Sequence, residues 1–250
     1  MTDAIYAIGD IHGHIDSLIT RHARIKADQL HHGHTTAKIV HVGDLVDRGP
    51  DSSGVIDYLM RGQQDDQPWV VLKGNHDKMF HKFLDDPNWR DPRISRADYN
   101  WLHPMLGGLE TLQSYGIDAT TDRDPLDLWA EATSAVPASH QAYLANLPYI
   151  YRTETCAFVH AGIRPGVPLD AQDPEDLIWI RREFHDDPRD HDALIVHGHT
   201  PVQRACHYGN RVNIDSGVCW GREMTAIVIE GDAVFTLEDD GRHPLLPPQK

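Results

Sequence analysis

The stretch Gly43-Asp44-Leu45-Val46-Asp47-Arg48-Gly49 constrains the fold of this chain more than any other. An apolar run (Ile39, Val40, Val42) leads into it and reads as a buried strand over 38–43. Pro50-Asp51-Ser52-Ser53 follows it and reads as a helix start, with Val55, Ile56, Leu59 and Met60 on one side of a helix over about 51–61. A strand that feeds a helix through a glycine-bracketed turn places that turn at the carboxyl end of a sheet, where α/β folds hold their ligands. Two carboxylates and an arginine in one such turn are hard to explain by stability alone.

The same pattern occurs twice more. Residues 4–9 read as a strand ending in Gly9-Asp10-Ile11-His12-Gly13, before a helix over 15–30 that His31-His32-Gly33-His34 closes, with Gly33 suited to the cap. Pro68 opens a third strand, Trp69-Val70-Val71-Leu72, which runs into Gly74-Asn75-His76-Asp77 and another helix. Three strand–turn–helix units in succession predict a parallel sheet with helices on its faces.

From about 85 to 137 the pattern dissolves into Asp-Pro and Gly-Gly breakers, aromatics (Trp89, Tyr99, Trp101, Tyr115, Trp129) and short helical stretches. This reads as a mostly helical, cap-like insertion lying over the sheet within a single domain spanning 1–250, its aromatics packing the insertion's own core. Beyond it, 149–152 and 156–159 read as paired strands, the second ending in His160-Ala161-Gly162, and 176–184 as one short helix. Residues 193–196 form a strand ending in His197-Gly198-His199-Thr200, and 205–208, 211–214, 224–229 and 233–237 alternate like an antiparallel sheet. The expected class is therefore mixed α/β, two packed sheets with helices outside.

Composition narrows the function. With 23 Lys plus Arg against 38 Asp plus Glu, the formal net charge is −15, which argues against nucleic acid and anionic membrane as partners. A small phosphate substrate stays open, because local cations act at close range. Three scattered cysteines build neither a disulfide framework nor a zinc ribbon and point to a reducing compartment. The Met1-Thr2-Asp3-Ala4 start lacks a signal-peptide pattern and no run reaches membrane-spanning length, so a cytoplasmic protein is expected.

Five strand ends carry residues of metal-ligand type: Asp10 and His12, Asp44, Asn75, His160, and His199. Oxygen donors mixed with imidazoles suit Mn²⁺, Fe or Zn²⁺ rather than Ca²⁺, and the lack of thiolate disfavours a structural zinc site. Six ligands exceed one tetrahedral ion, whereas a carboxylate shared between two ions uses them all.

Taken together, the Gly9–Gly13, Gly43–Gly49, Gly74–Asp77, His160–Gly162 and Gly198–Thr200 blocks resemble the signatures of the metallophosphoesterases, in the compact bacterial and phage form of the phosphoprotein phosphatase branch. The resemblance runs from about residue 4 to 230. It implies a calcineurin-like β-sandwich of two mixed sheets flanked by helices, and two divalent ions, usually Mn²⁺ or Fe/Zn. It places Asp10, His12 and a bridging Asp44 on the first ion, and Asp44, Asn75, His160 and His199 on the second. It also implies attack in line on phosphorus by a water that both ions activate. His76 then matches the general acid, Asp47 the residue that orients it, and Arg48 a binder of phosphoryl oxygens. A second phosphate-binding arginine is expected at Arg181, within Trp179-Ile180-Arg181, ahead of Arg182 or Arg164.

The leading expectation is a phosphatase acting on phosphoserine and phosphothreonine in proteins, with phosphotyrosine within range. Symmetrical hydrolysis of dinucleoside tetraphosphates, the chemistry of a sister branch that often lacks an aspartate at the Asp47 position, is the alternative. A catalytically silent binding module comes third, since every ligand position and His76 are filled.

Overall fold

The computed structural model describes residues 4–96 and 99–248. The strands form a six-stranded sheet and a five-stranded sheet. In the first, β1 (Ile5–Ile8) lies parallel to β2 (Ile39–His41), which lies parallel to β3 (Trp69–Val71). On the other side β1 pairs antiparallel with β9 (Ala226–Glu230), followed by β10 (Ala233–Glu238) and β11 (Gly241–Pro244). In the second, β4 (Ile150–Arg152) and β5 (Cys156–Val159) form the expected antiparallel pair. Next come β6 (Leu194–His197), β8 (Arg211–Asn213) and β7 (Cys206–His207).

Alternation along each strand explains the layers. In β1, Ile5 and Ala7 join Val40, Val42, Phe158, Val196, Val212 and Ile227 between the sheets, while Tyr6 and Ile8 face the helices with Leu18, Ile25, Val55 and Leu59. Ala157, Val159 and Ile195 point the other way, onto Leu177, Ile180 and Phe184. Strands buried on both faces have no polar side to show, hence the near-continuous apolar runs.

The first helices follow their sequence signals. Helix α1 (Ile15–His32) ends at Gly33 in the left-handed conformation, whose N–H donates to the Gln29 carbonyl. Helix α2 (Ser52–Gln64) is capped by Asp51, which accepts the Gly54 N–H. Helix α3 (Asn75–Asp85) starts at Gly74, and Asp77 accepts the backbone N–H groups of Gly74 and Leu45 at 2.7 and 2.8 Å. The turns after β2 and β3 are thereby fastened together.

Three expectations need correction. The stretch 176–184 is two helices, α7 (Pro174–Trp179) and α8 (Arg182–His185), because Arg181 takes a non-helical backbone (φ −132°, ψ −98°). The last strands are not one antiparallel sheet: β8 lies parallel to β6, and β9 and β10 extend the first sheet. The insertion carries α4 (Gly108–Ser114) and α5 (Pro125–Ala135), and its helical character continues past 137 in α6 (Ala138–Asn146). It packs against α2 and α3. Its apolar residues, Trp101, Leu112 and Leu128 among them, share one core with Tyr6 and Ile8 instead of forming their own.

A buried polar chain crosses that core. His41 Nδ1 donates to the Val70 carbonyl (3.0 Å), so its bare Nε2 accepts from His22 Nε2–H (2.8 Å), and His22 Nδ1 in turn accepts from the Tyr58 hydroxyl (2.9 Å). Burial pushes His22 down to about 2 and His41 to about 4, so both rings stay neutral in the fold. Unfolded rings take up protons below their ordinary 6.5. Stability is therefore full above that pH and falls on acidification, by about 1.4 kcal/mol per pH unit for each ring until its folded value is reached. Urea unfolding of His22→Gln should show a stability slope below about pH 6 shallower by this one-proton amount. An unchanged slope would mean that His22 is already charged in the fold.

Candidate active site

Carboxyl ends of β1, β2 and β3 in one sheet meet those of β5 and β6 in the other, and all five polar turns fall at this edge. The two sheets approach so closely here that a Cβ on Gly9 would lie 2.2 Å from the Ile214 carbonyl oxygen, and one on Gly198 would lie 1.9 Å from Asp10 Oδ1. Among the described non-glycine residues, seven have positive φ, and five of them are His12, Asp44, Asp47, Arg48 and His199. Each such backbone costs about 1–3 kcal/mol, and a cluster of them marks a place where geometry was selected over stability.

Asp44 sits at the centre. Its Oδ2 lies 3.6 Å from His12 Nε2 and its Oδ1 lies 3.3 Å from His160 Nε2, so the carboxylate turns one oxygen to each ring. The His12 and His160 Nδ1 atoms donate to the carbonyls of Val46 (2.8 Å) and Val42 (2.9 Å). That fixes the orientation of both rings and turns Nε2 inward, the atom through which each would bind a metal once it has no proton. Asn75 Oδ1 stands 2.9 Å from His160 Nε2 and 2.8 Å from His199 Nδ1. Asp10 accepts the His199 backbone N–H with both oxygens, at 3.2 and 3.1 Å.

Electrostatics shows what this pocket is built to receive. Burial, and then the charge of Asp215, push Asp10 well above the usual carboxylate range. Burial alone would also raise Asp44, but the charges of His160, His76 and His12 outweigh it and hold Asp44 well below that range. His160 is raised to about 9 because Asp44 overcomes its burial. Burial, then the charge of His160, drives His199 well down. Asp10, Asp44 and Asp215, all buried, thus repel one another around inward-facing imidazoles. Divalent cations relieve that repulsion, and the oxygen and nitrogen donors suit them. His12, Asp44 and His76, and separately Asp44, His160 and His199, bring ligand atoms within 4.8 Å of one another, Asp44 being common to both groups.

Beside this cluster lies a buried carboxylate–imidazole pair. His76 Nδ1 is 2.6 Å from Asp47 Oδ2, and both residues are buried. Burial pushes Asp47 up to about 8, and burial together with the Arg48 charge pushes His76 down to about 3, so the pair shares one proton. Arg48 donates to His12 Nε2 (2.8 Å) and to His76 Nε2 (3.0 Å), spanning both. Of the three arginines considered for the second position, Arg164 is held by Asp176 at 2.5 and 2.9 Å, and Arg182 faces Asp186 at 3.6 Å. Arg181 reaches Thr200 Oγ1 (3.1 Å) and is exposed to the charges of Asp44, Asp10 and Asp215.

Sequence reasoning missed two residues. Trp101 Nε1 donates to both oxygens of Asp47 (3.1 and 2.9 Å), and the Thr111 hydroxyl donates to its Oδ1 (2.7 Å). Both belong to the insertion, and the one local signal for them is Gly107-Gly108, which marks a close backbone approach. Asp215 is buried beside the site and accepts the Gly217 N–H at 2.9 Å. His14 and His197 turn their Nδ1 atoms to the His12 and Gly198 carbonyls, at 2.6 and 3.1 Å.

Comparison with known proteins agrees with this geometry. The chain is 28% identical over 245 residues to the asymmetrical bis(5'-nucleosyl)-tetraphosphatase PrpE of Anoxybacillus flavithermus, covering 88% of each. It is 27% identical over 242 residues to serine/threonine-protein phosphatase 1 of Salmonella typhimurium, covering 90% of this chain and 92% of the relative. The fold is shared with the cold-active protein-tyrosine phosphatase of a psychrophilic Shewanella species, at a TM-score of 0.62 and 15% identity, over 98% of this chain and 81% of that one. The family model for calcineurin-like phosphoesterases matches residues 4–228. The chain belongs to that family, the metallophosphoesterases that work with divalent metals.

Proposed function

We propose that the protein is a two-metal phosphomonoester hydrolase acting on phosphoserine and phosphothreonine in proteins, with phosphotyrosine as a further substrate and Mn²⁺ as its working ion. Asp10, His12 and Asp44 would hold one ion, and Asp44, Asn75, His160 and His199 the other. When bound, the ions supply Lewis-acid charge for the phosphoryl oxygens and lower the pKa of an attacking water. The remaining work belongs to side chains. Arg48 and Arg181 bind the non-bridging oxygens, and a phosphoryl group that takes up the Arg48 N–H bonds frees His76 Nε2 to take up a proton from solvent beside the bound anion. As the P–O bond breaks, that proton passes to the leaving oxygen, and Asp47 keeps Nδ1–H in place.

The observation that carries this reading is the 2.6 Å contact between His76 and Asp47. A serine or threonine alkoxide is a poor leaving group and needs an acid, whereas a nucleotide leaving from a polyphosphate chain does not. A second reading, hydrolysis of dinucleoside tetraphosphates, is supported by the relative from Anoxybacillus and by Trp220. That side chain is 56% exposed and lies 5.7 Å from the Arg48 guanidinium, where a nucleobase can stack on it.

One Mn²⁺-loaded sample, assayed in parallel on a phosphoserine peptide and on diadenosine tetraphosphate, separates the two. The higher kcat/KM should be that of the peptide, and a preference for the dinucleotide would reverse the assignment. EDTA should abolish either activity and Mn²⁺ restore it; turnover that survives metal removal contradicts both readings.

A further inference from the structure

The insertion does more than fill the core beside α2 and α3. It grips the turn that carries Asp47 and Arg48 at three points. Trp101 and Thr111 donate to the Asp47 carboxylate, as described above. Thr111 Oγ1 also accepts the Asp47 backbone N–H at 2.9 Å, so one side chain holds both ends of that residue. The Gly107 carbonyl accepts the Arg48 backbone N–H at 3.1 Å. Neither Asp47 (φ 74°) nor Arg48 (φ 68°) would keep such a backbone unaided.

The grip is rigid. Trp101 is 3% exposed, stacked on Phe80 and tilted against Phe83, with ring centroids 5.0 and 4.6 Å away. A Cβ on Gly108 would lie 2.6 Å from the indole, and one on Gly107 would lie 2.4 Å from the Arg48 nitrogen. Asp47 is fully buried, and its two oxygens are occupied by the indole N–H, the Thr111 hydroxyl and His76 Nδ1. With these donors in place the carboxylate has one orientation, and that orientation aims the imidazole.

We propose that Trp101 and Thr111 are positioning residues for proton donation: they fix the Asp47 carboxylate so that His76 presents Nε2 to the departing oxygen. This rests on the reading of His76 as the acid. The insertion thereby decides which phosphoesters are cleaved well, favouring those whose leaving group needs a proton.

The test uses full-length protein and a series of aryl phosphates graded by the basicity of the leaving phenol. Trp101→Phe keeps the stacked ring and removes its N–H, while Thr111→Val keeps the shape and removes the hydroxyl, leaving Ser52 Oγ (3.1 Å) to accept the Asp47 N–H. Each should steepen the dependence of kcat on leaving-group basicity. We expect about a tenfold loss on phenyl phosphate, a fraction of the roughly 10²–10⁴-fold a general acid contributes, and a much smaller loss on p-nitrophenyl phosphate. KM should hold within a factor of about two, and Thr111→Ser should restore the original slope. Trp129→Phe, which removes an indole N–H bond to the Leu84 carbonyl elsewhere in the insertion, should leave the slope unchanged. An equal loss on every substrate would reduce Trp101 and Thr111 to packing residues and overturn the proposal. If instead His76→Asn has the same slope as the parent, proton donation by His76 is itself refuted, an outcome distinct from the first.

Discussion

Replacing His76 by Asn should lower the turnover of a phosphoserine peptide by about 10²–10⁴-fold, the range spanned by loss of a positioned general acid. The argument rests on which atoms are already engaged. Nδ1 is held by Asp47 at 2.6 Å, and Nε2 lies 3.0 Å from Arg48, toward the place where a phosphoryl oxygen would be bound. A ring held through Nδ1 can donate a proton from Nε2 without rotating once a phosphoryl group has drawn the Arg48 N–H away. The same geometry offers a competing role, because His76 also stands within ligand distance of His12 and Asp44. Metal analysis decides between them. An acid predicts near-normal metal content with a large kcat loss, most severe for basic leaving groups. Loss of an ion along with the activity would make His76 a ligand instead.

Much of this site was legible because it is assembled from local signals. Gly9-Asp10, Gly43-Asp44, Gly74-Asn75 and Gly198-His199 each sit where an apolar strand stops, and strand period plus turn chemistry locates such places without tertiary knowledge. The cap at Asp51 and the stop at Gly33 were readable for the same reason. The break at Arg181 was not, since apolar spacing through Leu177, Ile180 and Phe184 runs straight across it. Nor was the parallel pairing of β6 with β8, because alternation carries no sign of strand direction.

Trp101 and Thr111 illustrate the deeper limit. They lie 54 and 64 residues from Asp47, and a hydrogen bond across that distance leaves no period in the sequence. An aromatic in an irregular stretch looks the same whether it fills a core or holds a carboxylate, and Trp101 does both. What the sequence did contain was the motif end of the contact, Asp47, whose burial demands partners. A buried carboxylate in a motif is therefore a reason to expect donors from whatever segment covers it, here the insertion.

The other large effect should come from adding one methyl group. In Gly74→Ala the new Cβ would lie 2.1 Å from Asp44 Oδ1, 2.3 Å from its backbone nitrogen and 2.9 Å from its Cα. Gly74 has φ −97° and ψ 174°, a conformation alanine adopts freely, so the effect is steric rather than conformational. Retreat is blocked as well, because the turn at Gly43 packs against Gly74 closely enough that a Cβ there would lie 2.6 Å from the Gly74 nitrogen. Asp44 must move, and with it the carboxylate shared by both proposed ion positions. A displacement on the order of 1 Å at such a group costs about 10²-fold in rate, and metal content should fall with it. Gly33→Ala supplies the contrast: φ there is +77°, nothing stands within 4 Å of the added Cβ, and the site is remote. It should lower stability by about 1 kcal/mol and leave kcat and bound metal unchanged. Full activity and metal content in Gly74→Ala would show that Asp44 does not hold ions in the position this packing gives it.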